Sequence, residues 1–155
     1  MMHCNIGQVV AVANARDLMA EASATLRNLP GQILNLTQHD ASPDQIRAGV
    51  VEFRDSEATE ILCDLLTFDV KPTLGCIEER ARSIAKLAVQ SGRCNTAMIG
   101  GAPYLMPFLE KALMAVGIQP LYAFSKRESI ESVAADGSVT KRTVFRHAGF
   151  IGRDD

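Results

Sequence analysis

Three short apolar runs constrain this chain more than anything else in it. Residues 32–37 (QILNLT), 94–99 (CNTAMI) and 118–124 (IQPLYAF) each read as a buried strand, and helical patterns stand between them. Strands separated by helices imply parallel pairing with right-handed crossovers, because a parallel neighbour can be reached only by a long connection. Two alternating segments around Asp136-Gly137 follow, and Asp-Gly is a strong hairpin turn. The expected fold is α/β: a small three-layer domain with a mostly parallel, doubly wound sheet and a C-terminal β-hairpin.

The helix boundaries are well marked. Ser42-Pro43-Asp44-Gln45 has the form of a capping box, with proline at the first helical position and Gly49 able to end a short helix. Val50 to Phe53 is an ambiguous edge segment. Ser56 is expected to cap a helix through Leu66, with acids in its first turn. Pro72-Thr73 opens the longest helix, to about Ser91, where Ile77, Ala81, Ile84 and Ala88 form a core stripe. The last helix, about 104–116, has more apolar residues than one face needs: Met106, Phe108 and Met114 point away from the Leu105, Leu109 and Leu113 stripe. That excess suggests a homodimer interface, or burial under an N-terminal arm.

The 155 residues suffice for one hydrophobic core. We expect a single domain over 32–155, preceded by an arm or extra helix over 1–31 that Pro30-Gly31 sets apart. A formal charge of −2 provides no broad basic surface, so a long nucleic acid is not an expected partner, whereas a small anion needs only a few local cations. Cys4, Cys63, Cys76 and Cys94 form no C-x-x-C pair and have no close spacing with His3, His39 or His147, so buried thiols are expected and no metal site. No run of about 20 apolar residues is present to span a membrane. The amino end has no cationic start before an apolar run, which makes a cytoplasmic protein the default.

Ligands of doubly wound sheets bind outside the carboxyl ends of the strands. There the sequence places Thr37-Gln38-His39-Asp40, Gly100-Gly101-Ala102-Pro103 and Ser125-Lys126-Arg127-Glu128, expected as three turns on one rim. His39 can exchange a proton near neutral pH, and Asp40 can orient it or accept from a ligand hydroxyl. Thr37 and Gln38 suit sugar or base edges. Gly100 and Gly101 permit close backbone approach, with amides and a helix amino end available to an anion. Ser125, Lys126 and Arg127 suit a phosphate. Each cluster has a plainer explanation: loop hydrogen bonds and a cap for the first, a solvated strand end for the last. Neither a G-x-G-x-x-G fingerprint nor a phosphate loop occurs, so classical dinucleotide or ATP binding is not supported, and no cofactor is expected.

ILNLTQHDASPDQ, AMIGGAPYLMPFLEKAL and GIQPLYAFSKRES together resemble small uncharacterised proteins of bacteria and their mobile elements, over about residues 32–151. The strand-end pattern N-L-T-x-H-x-x-(S/T)-x-x-Q is also similar to that of small CRISPR-associated proteins of Rossmann-like (CARF-like) fold, some of which are ring nucleases. That resemblance implies a homodimer binding a cyclic oligoadenylate messenger of anti-phage signalling, and its metal-independent cleavage to a cyclic phosphate. It implies His39 and Lys126 as catalytic residues, with Thr37, Gln38, Asp40, Gly100, Gly101, Ser125 and Arg127 holding the ligand. A sensor or sponge that keeps the nucleotide intact, a nucleoside or nucleotide transferase on the same fold, and a scaffold protein are the competing expectations.

Overall fold

A computed structural model of the chain describes residues 31–92 and 94–152. The arm or extra helix expected over 1–31 lies, apart from Gly31, outside the described residues. The elements are β1 (Ile33–Leu36), α1 (Pro43–Arg47), β2 (Val50–Val51), α2 (Ser56–Leu66), α3 (Leu74–Ser91), β3 (Thr96–Ile99), α4 (Met106–Ala115), β4 (Gln119–Val133) and β5 (Val139–Ile151). They form a mixed α/β fold around one five-stranded sheet of order β2-β1-β3-β4-β5. The first four strands are parallel to their neighbours, and β5 pairs antiparallel with β4.

Strand alternation divides the core between the two faces. Leu34, Leu36, Ala97 and Ile99 pack with Leu62, Leu66, Ile77, Ile84, Leu105, Leu109 and Leu113 from α2, α3 and α4. Ile33, Val50 and Met98 on the opposite face gather only Ala41, Leu121 and Phe150. The expected third layer is therefore thin among the described residues. The β1–β2 connection has room for just α1, one turn and a half of helix. Its capping box is formed as the sequence implied: Gln45 N–H donates to Ser42 Oγ and Ser42 N–H to Gln45 Oε1. Asp55, not Ser56, caps α2, accepting from the Glu57 amide. Thr73 caps α3, and Gly92 closes it in the left-handed region.

One expectation is met in part and another needs correction. Of the apolar excess of α4, Met106 is buried in the main core and Phe108 is half-buried against it, while Met114 stays exposed among the described residues. Ser125-Lys126-Arg127-Glu128 is not a turn. The alternation of Ile118–Phe124 continues through these residues, because Ser125–Val133 finds a complete antiparallel partner in Val139–His147 across Asp136-Gly137. β3 ends its pairing at Tyr122, so the two long strands leave the sheet together as a ribbon, solvent-exposed for most of its length. At the ribbon's root the partner of Phe124 is Gly149 but the partner of Ser125 is His147, and Ala148 bulges out. The bulge brings the His147 ring onto Phe150, centroids 4.6 Å apart. Both His147 ring nitrogens are buried there without a hydrogen-bond partner among the described residues.

No helix of the described residues is long and apolar enough to cross a membrane. The tightest backbone approach is at Gly49, where φ is +101° and an added Cβ would lie 2.0 Å from the Gly31 carbonyl oxygen. The Gly49 carbonyl in turn accepts from the Ile33 amide, starting the β1–β2 pairing. Gly49→Ala should lower the unfolding free energy by about 2 kcal/mol or more, read from urea denaturation; an unchanged midpoint would refute this account of the turn.

Candidate functional site

The strand order reverses at β1: the chain leaves β1 towards β2 on one side, and leaves β3 towards β4 on the other. The two connections diverge, and a cleft of about 420 Å³ opens between them. Thr37, Gln38, His39, Asp40 and Gln45 line it from the first connection. Gly100 and Gly101 line it from the second, Met98 and Ile99 form its floor, and Tyr122 and Ala123 its far wall. Six of the nine site residues expected from the sequence thus share one cleft. Ser125, Lys126 and Arg127 do not line it; they stand on the ribbon opposite His147, Arg146 and Phe145. No Lys or Arg is among the described residues that line it.

The first wall is built around Asn35. By alternation this residue points to the thinner face, and it is 2% exposed. Its Nδ2 donates to the His39 carbonyl at 2.8 Å and lies 3.0 and 3.1 Å from the Glu52 carboxylate oxygens. Its Oδ1 accepts from the Thr37 amide at 3.0 Å and from Thr37 Oγ at 2.8 Å. Glu52 also accepts from the Ala41 amide at 2.8 Å. Asn35 and Glu52 thereby hold both ends of the 37–41 loop. Gln38 is engaged elsewhere: its Nε2 donates to Thr67 Oγ at 2.9 Å, tying the loop to the end of α2. The imidazole of His39 and the carboxylate of Asp40 are exposed and make no hydrogen bond to described residues, which leaves them free to meet a ligand.

The second wall is backbone. Gly101 has φ of +152°, outside the range that residues with a Cβ readily adopt, and Gly100 lies against the Thr37 methyl. Met106, under Gly101, and Pro107 open α4, whose N-cap residue, Leu105, makes no side-chain cap. Arg80 braces the neighbourhood from below. It donates to the Asp64, Leu65 and Thr67 carbonyls at the end of α2 and stacks over Phe68, which packs edge-on against Tyr104.

The far wall holds a pair that the sequence reading did not single out. Tyr122 Oη donates to Glu110 Oε1 at 2.6 Å. Burial, then the hydrogen bond to Glu110 and its negative charge, hold the phenol well above the ordinary tyrosine value. No local signal announces this pair, since it joins α4 to β4. Asn35 did have one: a carboxamide inside an apolar strand must find partners. Among the described residues, no three His, Cys, Asp or Glu side chains cluster as metal ligands.

Asn35→Ala should destabilise the fold by about 1–3 kcal/mol, because the Glu52 carboxylate and the His39 carbonyl lose their shared donor. Hydrogen exchange at amides 37–41 should accelerate with it; unchanged protection would mean the loop is held by other groups. A second expectation concerns pH. The raised Tyr122 pKa stabilises the folded chain fully below the unfolded value of about 10, and that stabilisation is lost as pH rises through the folded value. Urea midpoints measured on the alkaline side should therefore fall more steeply for the native chain than for Tyr122→Phe; parallel curves would contradict the assignment.

No curated protein and no solved structure matches the chain. Residues 31–151 match the family described as Uncharacterized protein MJ1673 family, from the turn before β1 to the last residue of β5. The match takes in all three walls of the cleft and the whole ribbon, and this chain belongs to the Uncharacterized protein MJ1673 family.

Proposed function

We propose that the cleft binds a nucleotide and that the chain cleaves a cyclic oligoadenylate there without a metal ion. The observation that carries the reading is the meeting of an exposed imidazole, a carboxylate and a glycine backbone at the strand-order reversal. The cleft volume falls within the range of small-molecule sites and accommodates one nucleoside unit of a larger ring. Gly100 and Gly101 offer main-chain amides to a phosphate, and Asp40 accepts from a ribose hydroxyl. His39 takes the proton of a ribose 2'-hydroxyl as that oxygen attacks the adjacent phosphorus. The P–O5' bond breaks, the 5'-oxygen receives a proton, and the product ends in a 2',3'-cyclic phosphate. A ring that fills the cleft and lies along the root of the ribbon meets Ser125, Lys126 and Arg127 next, where Lys126 faces the developing charge.

One observation favours a second reading, a sensor or sponge that holds the messenger intact: the described residues of the lining include no Lys or Arg to stabilise the pentavalent phosphorus. Incubation of the purified chain with cyclic and linear oligoadenylates in EDTA, read by mass spectrometry, separates the two. Linear products ending in cyclic phosphate support cleavage, and His39→Ala should then slow it by about 10²–10⁴-fold. Intact, co-purifying ligand supports the sensor, and the absence of binding to any of them refutes both.

A further inference from the structure

The geometry points to a second copy of this chain as the partner of the ribbon: we propose that two ribbons pair through their β4 edges, antiparallel, about a twofold axis at Ser129. This inference stands independently of the nucleotide reading.

β3 pairs with β4 only as far as Tyr122, and no other described strand takes its place. From Phe124 to Val133, every second residue of β4 therefore directs its N–H and C=O away from β5 into open space. A two-stranded ribbon of about 30 Å is marginal by itself in water. This one also exposes apolar side chains, with Phe145 72% and Val133 70% exposed, and Phe124, Ile130 and Val139 uncovered as well. An open edge of this kind is a template for strand addition.

Charge identifies the occupant and the register. In a twofold antiparallel pair, directly opposed residues share a face, so their numbers must have the same parity. An axis at Arg127 would set Arg127 against its own copy, and one at Glu128 would do the same with Glu128. With the axis at Ser129, Arg127 meets the partner's Glu131, Glu128 meets the partner's Ile130, and Lys126 meets the partner's Ser132. No like charges are opposed. Arg127 has no ion-pair partner among the described residues, whereas Glu128 holds Arg146 and Glu131 holds Lys141 along the ribbon. The β5 edge is less suited to the same role: its charges, Lys141, Arg142 and Arg146, are all positive, so a second copy offers them no opposite charge to pair with.

The register has a further result. Val133 falls opposite the partner's Ser125, so the Asp136-Gly137 turn of each ribbon reaches the root of the other. Ala123 and Tyr122, which line the cleft, lie there. Each site is thus roofed in part by the other copy.

Sedimentation velocity on the full chain tests the pairing, and single cysteines test its register. The native chain is expected as a dimer, and Arg127→Glu should weaken dimerisation at least tenfold, since it opposes two acids. Ser129→Cys should give a covalent dimer on mild oxidation, because residue 129 faces its own copy at cross-strand distance. Ser125→Cys, opposite the partner's Val133, should crosslink no more than the native chain with its own thiols. All three positions are exposed, so circular dichroism should be unchanged. A monomeric native chain, an Arg127→Glu protein that dimerises as before, or equal crosslinking at 125 and 129 would each overturn the proposal.

Discussion

A buried carboxamide has to satisfy a donor end and an acceptor end where water cannot help, and an unmet group costs about 1–3 kcal/mol. Asn35 meets that demand using the loop that follows its own strand: the Thr37 amide and hydroxyl on one end, the His39 carbonyl and Glu52 on the other. The cleft depends on this one residue. If Asn35 were apolar, the 37–41 loop would have no internal reason to turn where it does, and His39 would have no fixed position relative to Gly100 and Gly101. Glu52 extends the arrangement to β2, so the edge strand, although only two residues long, anchors the site.

The elements most readily read from the sequence are those whose determinants are local. The Ser42–Gln45 capping box, the α3 stripe, the Gly92 terminator and the Asp136-Gly137 turn all follow from residues within one turn of one another, and all are present. So are both glycine and polar connections at the strand-order reversal, because parallel strands bring their carboxyl ends to one rim whatever lies between them. The misreadings involve longer range. Ser125-Lys126-Arg127-Glu128 looks like a turn in isolation, and only the matching length of Val139–His147 shows that it is strand. Tyr122 and Glu110 are invisible as a pair until α4 is laid beside β4.

Two kinds of surface follow from these two kinds of determinant. The cleft is small, polar and held by hydrogen bonds within the chain, a geometry suited to a ligand that must be oriented. The ribbon is long, has mixed charge and is braced only along its own length by the Glu128–Arg146 and Glu131–Lys141 pairs, each exposed and worth about 0.2–1 kcal/mol. The two surfaces are braced separately, the first by Asn35 and Glu52 and the second by its two ion pairs. They meet only at Tyr122 and Ala123, where the far wall of the cleft becomes the root of the ribbon.

That junction contains the bulge at Ala148, and its effect is one of phase. In an unbroken strand, side chains three apart point to opposite faces; the extra residue cancels one step, so His147 and Phe150 fall on the same side and their rings touch. Every β5 residue distal to the bulge, from His147 outward, is set against β4 by that single skipped position, while β4 keeps one alternation throughout. The ribbon's chemistry is written in its own residues, but one alanine without a cross-strand partner decides that Arg146 stands beside Lys126 and Phe145 beside Arg127.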